Sequence, residues 1–223
     1  MAPRIIIGVD EAGRGALAGP LVVCAAAFHC DTPIVTVTYR GLRGEKVVAA
    51  GDSKSFSNPL HREVLDVTIR EIATAVAVVE RSAKEIDARL MYVVFPETLR
   101  LVIARVIEQL VQLGHGDVAN DYVVKIDGEI PRPEGIPCVV HSIPDGDKKI
   151  WQIGAASIVA KVYRDRRMDE HHVTYPEWGF DTHRGYPTPA HKKLLKTLEL
   201  TPIHRRTFRP VAEAKGLPPG FEM

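Results

Sequence analysis

Three cysteines in 223 residues are too few and too irregularly placed for a disulfide scaffold. Cys24, Cys30 and Cys138 show no C-x-x-C spacing, which also argues against a zinc site, and a sparse, odd set fits a reducing compartment. No segment is long and apolar enough to span a bilayer, and Met1-Ala2-Pro3-Arg4 lacks the apolar run of a signal peptide. Cytoplasmic residence without membrane attachment is therefore expected. Nor is there an excess of one charge: 29 Lys and Arg stand against 28 Asp and Glu, so the total charge by itself points to no nucleic-acid partner. A neutral total can still hide a local patch. Repeats and low-complexity tracts are missing too. What is present, 45% hydrophobic and 26% charged residues, is ordinary for a globular protein.

Strand and helix patterns alternate along the chain, the signature of an α/β sandwich around a mixed sheet. Ile5 to Val9 and Pro20 to Phe28 read as buried strands, joined by a glycine turn short enough to favour an antiparallel pair. Ile34 to Tyr39 is a further strand candidate. Asn58-Pro59 reads as an N-cap with proline at the first helical position, followed by Leu60, Val64, Leu65, Ile69 and Ile72 at helical spacing. A strand over Thr74 to Val79 and a helix from Ala83 to Leu90 follow. The set Leu99, Val102, Ile103, Val106, Ile107 and Leu110 predicts a helix from Glu97 to Leu113. Asp121 to Gly128 and Cys138 to His141 are strand-like, Lys148 to Met168 is the longest helical pattern, and Thr188 to Leu198 is another helix. Gly154, Ala155, Ala156, Ser157 and Ala160 would let the long helix lie close against the sheet.

Carboxylates stand where these elements end. Gly8-Val9-Asp10-Glu11-Ala12-Gly13-Arg14-Gly15 sets two acids between a buried strand and a glycine-framed arginine. Neighbouring strand residues face opposite ways, so Asp10 and Glu11 share a site only if the strand stops at Asp10 and the turn re-aims Glu11. Adjacent buried acids are costly unless a cation sits between them, and a divalent metal is the natural one. A surface turn that happens to carry acids is the plainer alternative. Asp127 ends an apolar strand before Gly128, a pairing that is also an ordinary turn dipeptide. Asp147 precedes the long helix, where an aspartate also serves as an N-cap. Lys161 and Asp165, four apart, can form a surface ion pair. Between Asp181 and Lys215, eight cations (Arg184, Lys192, Lys193, Lys196, Arg205, Arg206, Arg209 and Lys215) face three acids, a local excess of +5. Beside an acidic metal site, such a strip favours a phosphate-backbone substrate over a merely solvated face.

Taken in order, these residues resemble ribonuclease HII, the type 2 ribonuclease H. The resemblance spans residues 5 to 211. Its carriers are Gly8 to Gly15 continued by Leu17-Ala18-Gly19-Pro20, Asp52-Ser53-Lys54, and the helix signature Ala155 to Arg166. Gly179-Phe180 with His183-Arg184-Gly185-Tyr186-Pro187-Thr188, and the closing His204-Arg205-Arg206-Thr207-Phe208, complete it. Ala16 stands where proline is usual, Gly154 replaces a common alanine, and the helix after Phe95 departs from the family pattern.

The resemblance implies a ribonuclease H-like α/β fold, a mixed sheet flanked by helices, with a C-terminal helical region. Residues 1–170 would form the catalytic core, 171–215 a helical substrate-binding region packed on it, and 216–223 a loose tail. It implies catalytic metal ligands at Asp10, Glu11, Asp127 and Asp147, with a further acid at Asp145 leaving the last position open. Mg²⁺ or Mn²⁺, as a pair during catalysis, suits such oxygen ligands. The implied activity is endonucleolytic hydrolysis of RNA in RNA–DNA hybrids, and cutting 5′ of single ribonucleotides in duplex DNA. Gly13, Arg14 and Gly15 would meet the 2′-hydroxyl through their main chain, and Tyr186 would pack on the following sugar. Lys54 and Arg184 are further substrate-binding candidates, and Lys161 and Asp165 supporting ones. Action as a monomer is expected. The rivals are a type 3 ribonuclease H, which normally carries an N-terminal domain ahead of this motif, and a silent hybrid-binding protein of the same fold.

Overall fold

Runs of β-branched residues become strands of one five-stranded sheet in the computed structural model, which describes residues 4–41, 44–49 and 59–217, with backbone alone at 37–41, 44–49 and 59. Strands β1 (Ile5–Ala12), β2 (Leu21–His29), β3 (Thr36–Gly41) and β4 (Gly44–Ala49) come first. Helix α1 (Pro59–Ile72), β5 (Ala75–Arg81), α2 (Ala83–Arg89) and α3 (Met91–Gln112) follow. Next are α4 (Val118–Asp121), β6 (Tyr122–Asp127) and β7 (Val139–Ile143). The remainder is helical: α5 (Gly146–Lys149), α6 (Trp151–Thr174), α7 (Phe180–His183), α8 (Pro189–Thr197) and α9 (Arg209–Lys215). The sheet order is β5-β2-β1-β6-β7, and β6 runs parallel to both β1 and β7. This is the expected mixed α/β sheet with helices around it.

Two compact units divide the chain. The first comprises Met1–Glu11, Val23–Val79 and Leu99–Val162. Its core is built from β1 (Ile5, Ile7, Val9), the buried apolar run Val23 to Phe28 of β2 and alternate residues of β6 (Tyr122, Val124, Ile126). Leu99, Val102, Ile103, Val106, Ile107 and Leu110 of α3 are all buried, as their helical spacing implies. The small residues of α6 allow a close approach. A Cβ at Gly8 of β1 would lie 2.1 Å from the Gln152 carbonyl oxygen, so only glycine fits there.

The second unit comprises Ala12–Val22, Glu80–Thr98 and Tyr163–Met223. Leu17, Ala18, Met168, Trp178, Phe180, Leu195 and Val211 form its apolar cluster. Three buried histidines thread it with fixed tautomers. His183 accepts the Gly185 amide at Nδ1 and donates Nε2–H to the Trp178 carbonyl. His191 donates Nδ1–H to the Tyr186 carbonyl and accepts at Nε2 from His204, whose Nδ1 accepts from the Thr201 amide. All three rings are therefore neutral.

Several sequence expectations shift. Strand β1 continues through Glu11 to Ala12 instead of ending at Asp10, because Ala12 is apolar and buried and the first turn glycine is Gly13. The strand expected at Ile34 begins at Thr36 and pairs with β4, which no local signal announces, in a separate two-stranded antiparallel sheet. Helix α3 starts at Met91 and contains Pro96, which gives up one intrahelical bond without ending the helix. The long helix starts at Trp151, not Lys148; the short α5 precedes it. Helix α9 carries no strong sequence signal. Asn58 and Lys54 lie outside the described residues, although α1 does begin at Pro59.

Candidate active site

Parallel pairing places two acids side by side. The register of β1 against β6 pairs Val9 with Ile126. The next residue on each strand is Asp10 and Asp127. Asp10 is 5% exposed. The Glu11 amide donates to its Oδ1 at 2.7 Å, and Ser157 of α6 hydrogen-bonds to its carboxylate. Burial raises the Asp10 pKa well above the carboxylate range, and the negative charges of Glu11 and Asp127 add to the rise. The Ser157 hydroxyl and the Glu11 amide oppose it by bonding to the charged form.

Asp127 is tied in turn to the start of α5. Its Oδ1 accepts the Gly146 amide at 2.6 Å and the Asp147 amide at 3.4 Å. Asp147 is buried within the first turn of α5, so the N-cap position belongs to Asp145 and not to Asp147. Asp145 has left-handed backbone (φ 53°), a side chain 63% exposed, and an ion pair with Lys148 at 3.0 Å. Of these two acids, Asp147 is the one that sits with Asp127.

Glu11 is half-buried inside the strand and no turn re-aims it. Its carboxylate nonetheless lies close enough to raise the Asp10 pKa, so closeness to Asp10 does not require the strand to stop there. Glu11 and Asp127 both lie within electrostatic reach of Asp10, and Asp147 is tied to Asp127 through its amide. Among the described residues, no three His, Cys, Asp or Glu side chains converge as a finished ligand set. The donor chemistry nonetheless suits a hard divalent cation. It is all oxygen, it is largely buried, and its mutual repulsion is what a bound cation relieves.

The second unit holds the other candidates. Gly13 has φ 88° and donates its amide to the Tyr186 hydroxyl at 3.2 Å. Arg14 and Gly15 are exposed, and the Arg14 guanidinium lies 5.1 Å from the Phe95 ring centroid. Arg184 pairs with Asp169, donates to the Asp165 carbonyl at 3.1 Å, and lies 3.8 Å from the Asp165 carboxylate. Those bonds hold it against α6. Lys161, in the first unit, is half-buried on α6. The basic strip is smaller than its sequence count. Arg205 is fully buried and Arg209 pairs with Glu213, leaving Lys192, Lys193, Lys196 and Arg206 as its other exposed members.

Three residues emerge that sequence reading does not single out. Ser157 is visible there only as one small residue among several in α6. Arg164 lies inside the Ala155–Arg166 signature and Arg205 in the basic strip, and neither position signals that its guanidinium is buried.

Comparison with known proteins identifies the family and the fold. The family model described as Ribonuclease HII matches residues 7–211. A ribonuclease HII of Xanthomonas campestris pv. campestris is 40% identical over 214 residues, which are 96% of this chain and 79% of the relative. One from Dechloromonas aromatica is 39% identical over 96% of this chain and 95% of its own length. The crystal structure of the ribonuclease H2 from Pyrococcus horikoshii OT3 superposes with a TM-score of 0.68 at 27% identity, covering 95% of this chain and 97% of that one.

Proposed function

The chain belongs to the ribonuclease HII family, hydrolases of RNA in RNA–DNA hybrids, and from that premise we propose that it also cuts duplex DNA 5′ of single embedded ribonucleotides, leaving 5′-phosphate and 3′-hydroxyl ends. The observation that carries the chemistry is the buried Asp10, crowded by the charges of Glu11 and Asp127 at the ends of adjacent parallel strands. Asp10, Glu11, Asp127 and Asp147 would hold Mg²⁺ or Mn²⁺, which when bound as a pair supplies activation of water and charge stabilisation at the scissile phosphate. Ser157 and the Glu11 amide orient the Asp10 carboxylate, and the amides of Gly146 and Asp147 orient that of Asp127.

Ribose recognition falls to the second unit. The glycines around Arg14 let main-chain N–H and C=O groups approach a 2′-hydroxyl, the group that separates RNA from DNA. Tyr186, bonded to the Gly13 amide, would pack on the following sugar at the RNA–DNA junction. Lys192, Lys193, Lys196 and Arg206 supply exposed charge for the phosphate backbone. The protein is expected to act as a monomer. Among the described residues no helix is long and apolar enough to cross a membrane.

The test is cleavage of a duplex carrying one ribonucleotide, with and without Mn²⁺. Cutting on the 5′ side, lost in Asp10→Asn, is expected; retained cleavage by Asp10→Asn contradicts the assignment of Asp10.

A further inference from the structure

Two buried arginines of the second unit grip the segment that carries the Gly13–Gly15 turn. Arg164 donates from Nε to the Pro20 carbonyl at 2.9 Å and from Nη2 to the Ala18 carbonyl at 3.2 Å. Arg205 donates from Nε and Nη2 to the Gly19 carbonyl at 3.1 and 2.9 Å, and from Nη1 to the Arg14 carbonyl at 3.0 Å. Both side chains are fully buried. Taking a guanidinium out of water is costly, and these bonds go to neutral carbonyls, so holding this loop is what the burial accomplishes.

Arg164 does more than tie the loop. Its guanidinium carbon lies 4.9 Å from the centroid of the Tyr186 ring, a cation–π distance. Its Nη1 is buried without a hydrogen-bond partner among the described residues. A fork turned to saturate its donors would not leave that N–H orphaned; the ring face accounts for where the cation sits. On the other side it abuts the turn, since a Cβ at Gly13 would lie 2.1 Å from Nε. Gly13 in turn donates its amide to the Tyr186 hydroxyl. Turn, guanidinium and phenol form one closed contact, and the hydroxyl, accepting from Gly13, keeps its own proton to donate.

We propose that Arg164 is the positioning residue for junction recognition, fixing the Tyr186 ring through its cation and the Gly13 turn through the carbonyls of Ala18 and Pro20. Arg164 can act this way only if Gly13–Gly15 and Tyr186 read the sugar as proposed. It touches no reacting atom; it sets the group that touches the substrate.

Arg164→Lys keeps the charge and loses the fork, and Arg164→Gln keeps a donor and loses the charge, so two chemically different variants guard against one failing to fold. The full chain is assayed with Mn²⁺ on a DNA duplex bearing one ribonucleotide and on a continuous RNA–DNA hybrid, with kcat and KM separated. The ratio of kcat/KM on the junction substrate to that on the hybrid is expected to fall about tenfold in each folded variant. Combined with Tyr186→Ala, either substitution is expected to lower the ratio by less than it does alone, because the ring is one of the two groups that Arg164 sets. A folded Arg164 variant that keeps the wild-type ratio overturns the proposal if Tyr186→Ala alone lowers it, since Arg164 then serves stability only. If Tyr186→Ala also leaves the ratio unchanged, the sugar-reading assignment of Tyr186 itself falls, and the role of Arg164 falls with it.

Discussion

Asp10 shows how much a single side chain owes to its neighbours. Water would keep it ionised at neutral pH, but burial and two nearby carboxylates make the charged form costly, and only Ser157 and an amide offset them. Removing that charge should relieve strain while abolishing chemistry. Asp10→Asn is expected to melt no lower than wild type in metal-free buffer, yet to lose cleavage by at least about a hundredfold. Mn²⁺ should raise the melting temperature of the wild type and raise that of the variant less, a pair of scans that tests the ligand role independently of activity. The opposite kind of sensitivity belongs to Gly8. Its α6 neighbour is main chain, which cannot swing aside, so Gly8→Ala should cost several kcal/mol, on the order of an overpacked core, read by urea denaturation.

At the scale of elements, local chemistry explains the boundaries that sequence reading locates well. Ser82 caps α2 by accepting the Glu85 amide at 3.2 Å, while Glu85 reaches back to the Ser82 amide at 2.8 Å. Ser82→Ala is expected to cost about 1 kcal/mol of unfolding free energy. Thr188 caps α8 by accepting the His191 amide, just before Pro189. Such signals lie within four residues of the helix they start, which is why they are legible. The start of α3 is not legible, because Pro96 reads as a boundary while the turn before it is helical. Strand β4 is hidden for another reason: Gly44 to Ala49 acquires its meaning only by pairing with β3. Helix α8 also presents Lys192, Lys193 and Lys196 to solvent. Changing all three to Gln should weaken binding to hybrids of any sequence. The slope of log affinity against log salt should then become shallower, by about 0.9 for each phosphate that is no longer neutralised.

For the whole molecule the consequential feature is the chain of neutral histidines in the second unit. Burial depresses His191 to about 4 and His204 to about 3, and lowers His183 as well. In the unfolded chain these groups titrate near 6.5. Between those values the unfolded state binds more protons than the folded one, so stability rises with pH across the window. It is fully present above about 6.5 and is lost progressively as pH falls toward 4 and then 3. Each histidine contributes a slope of up to about 1.4 kcal/mol per pH unit. Calorimetric melting temperatures should drop steadily between pH 6.5 and 4.5, and less steeply in His191→Gln; a flat profile would contradict the buried, neutral network.

By itself the amino-acid sequence determined the class of sheet, the starts of α1, α2 and α8 and the residue types of the candidate site, because periodicity, caps and strand-ending acids are written over a few neighbouring positions. Its ordered motifs were enough to establish the family. Tertiary structure alone decided that Asp147 and not Asp145 meets Asp127, that Glu11 stays within the strand, and that Arg164 and Arg205 turn inward to hold a loop while Arg184 is held by α6. Those outcomes depend on contacts between residues far apart in the chain, where register, burial and the search of each charge for a partner select among side chains that look alike in sequence.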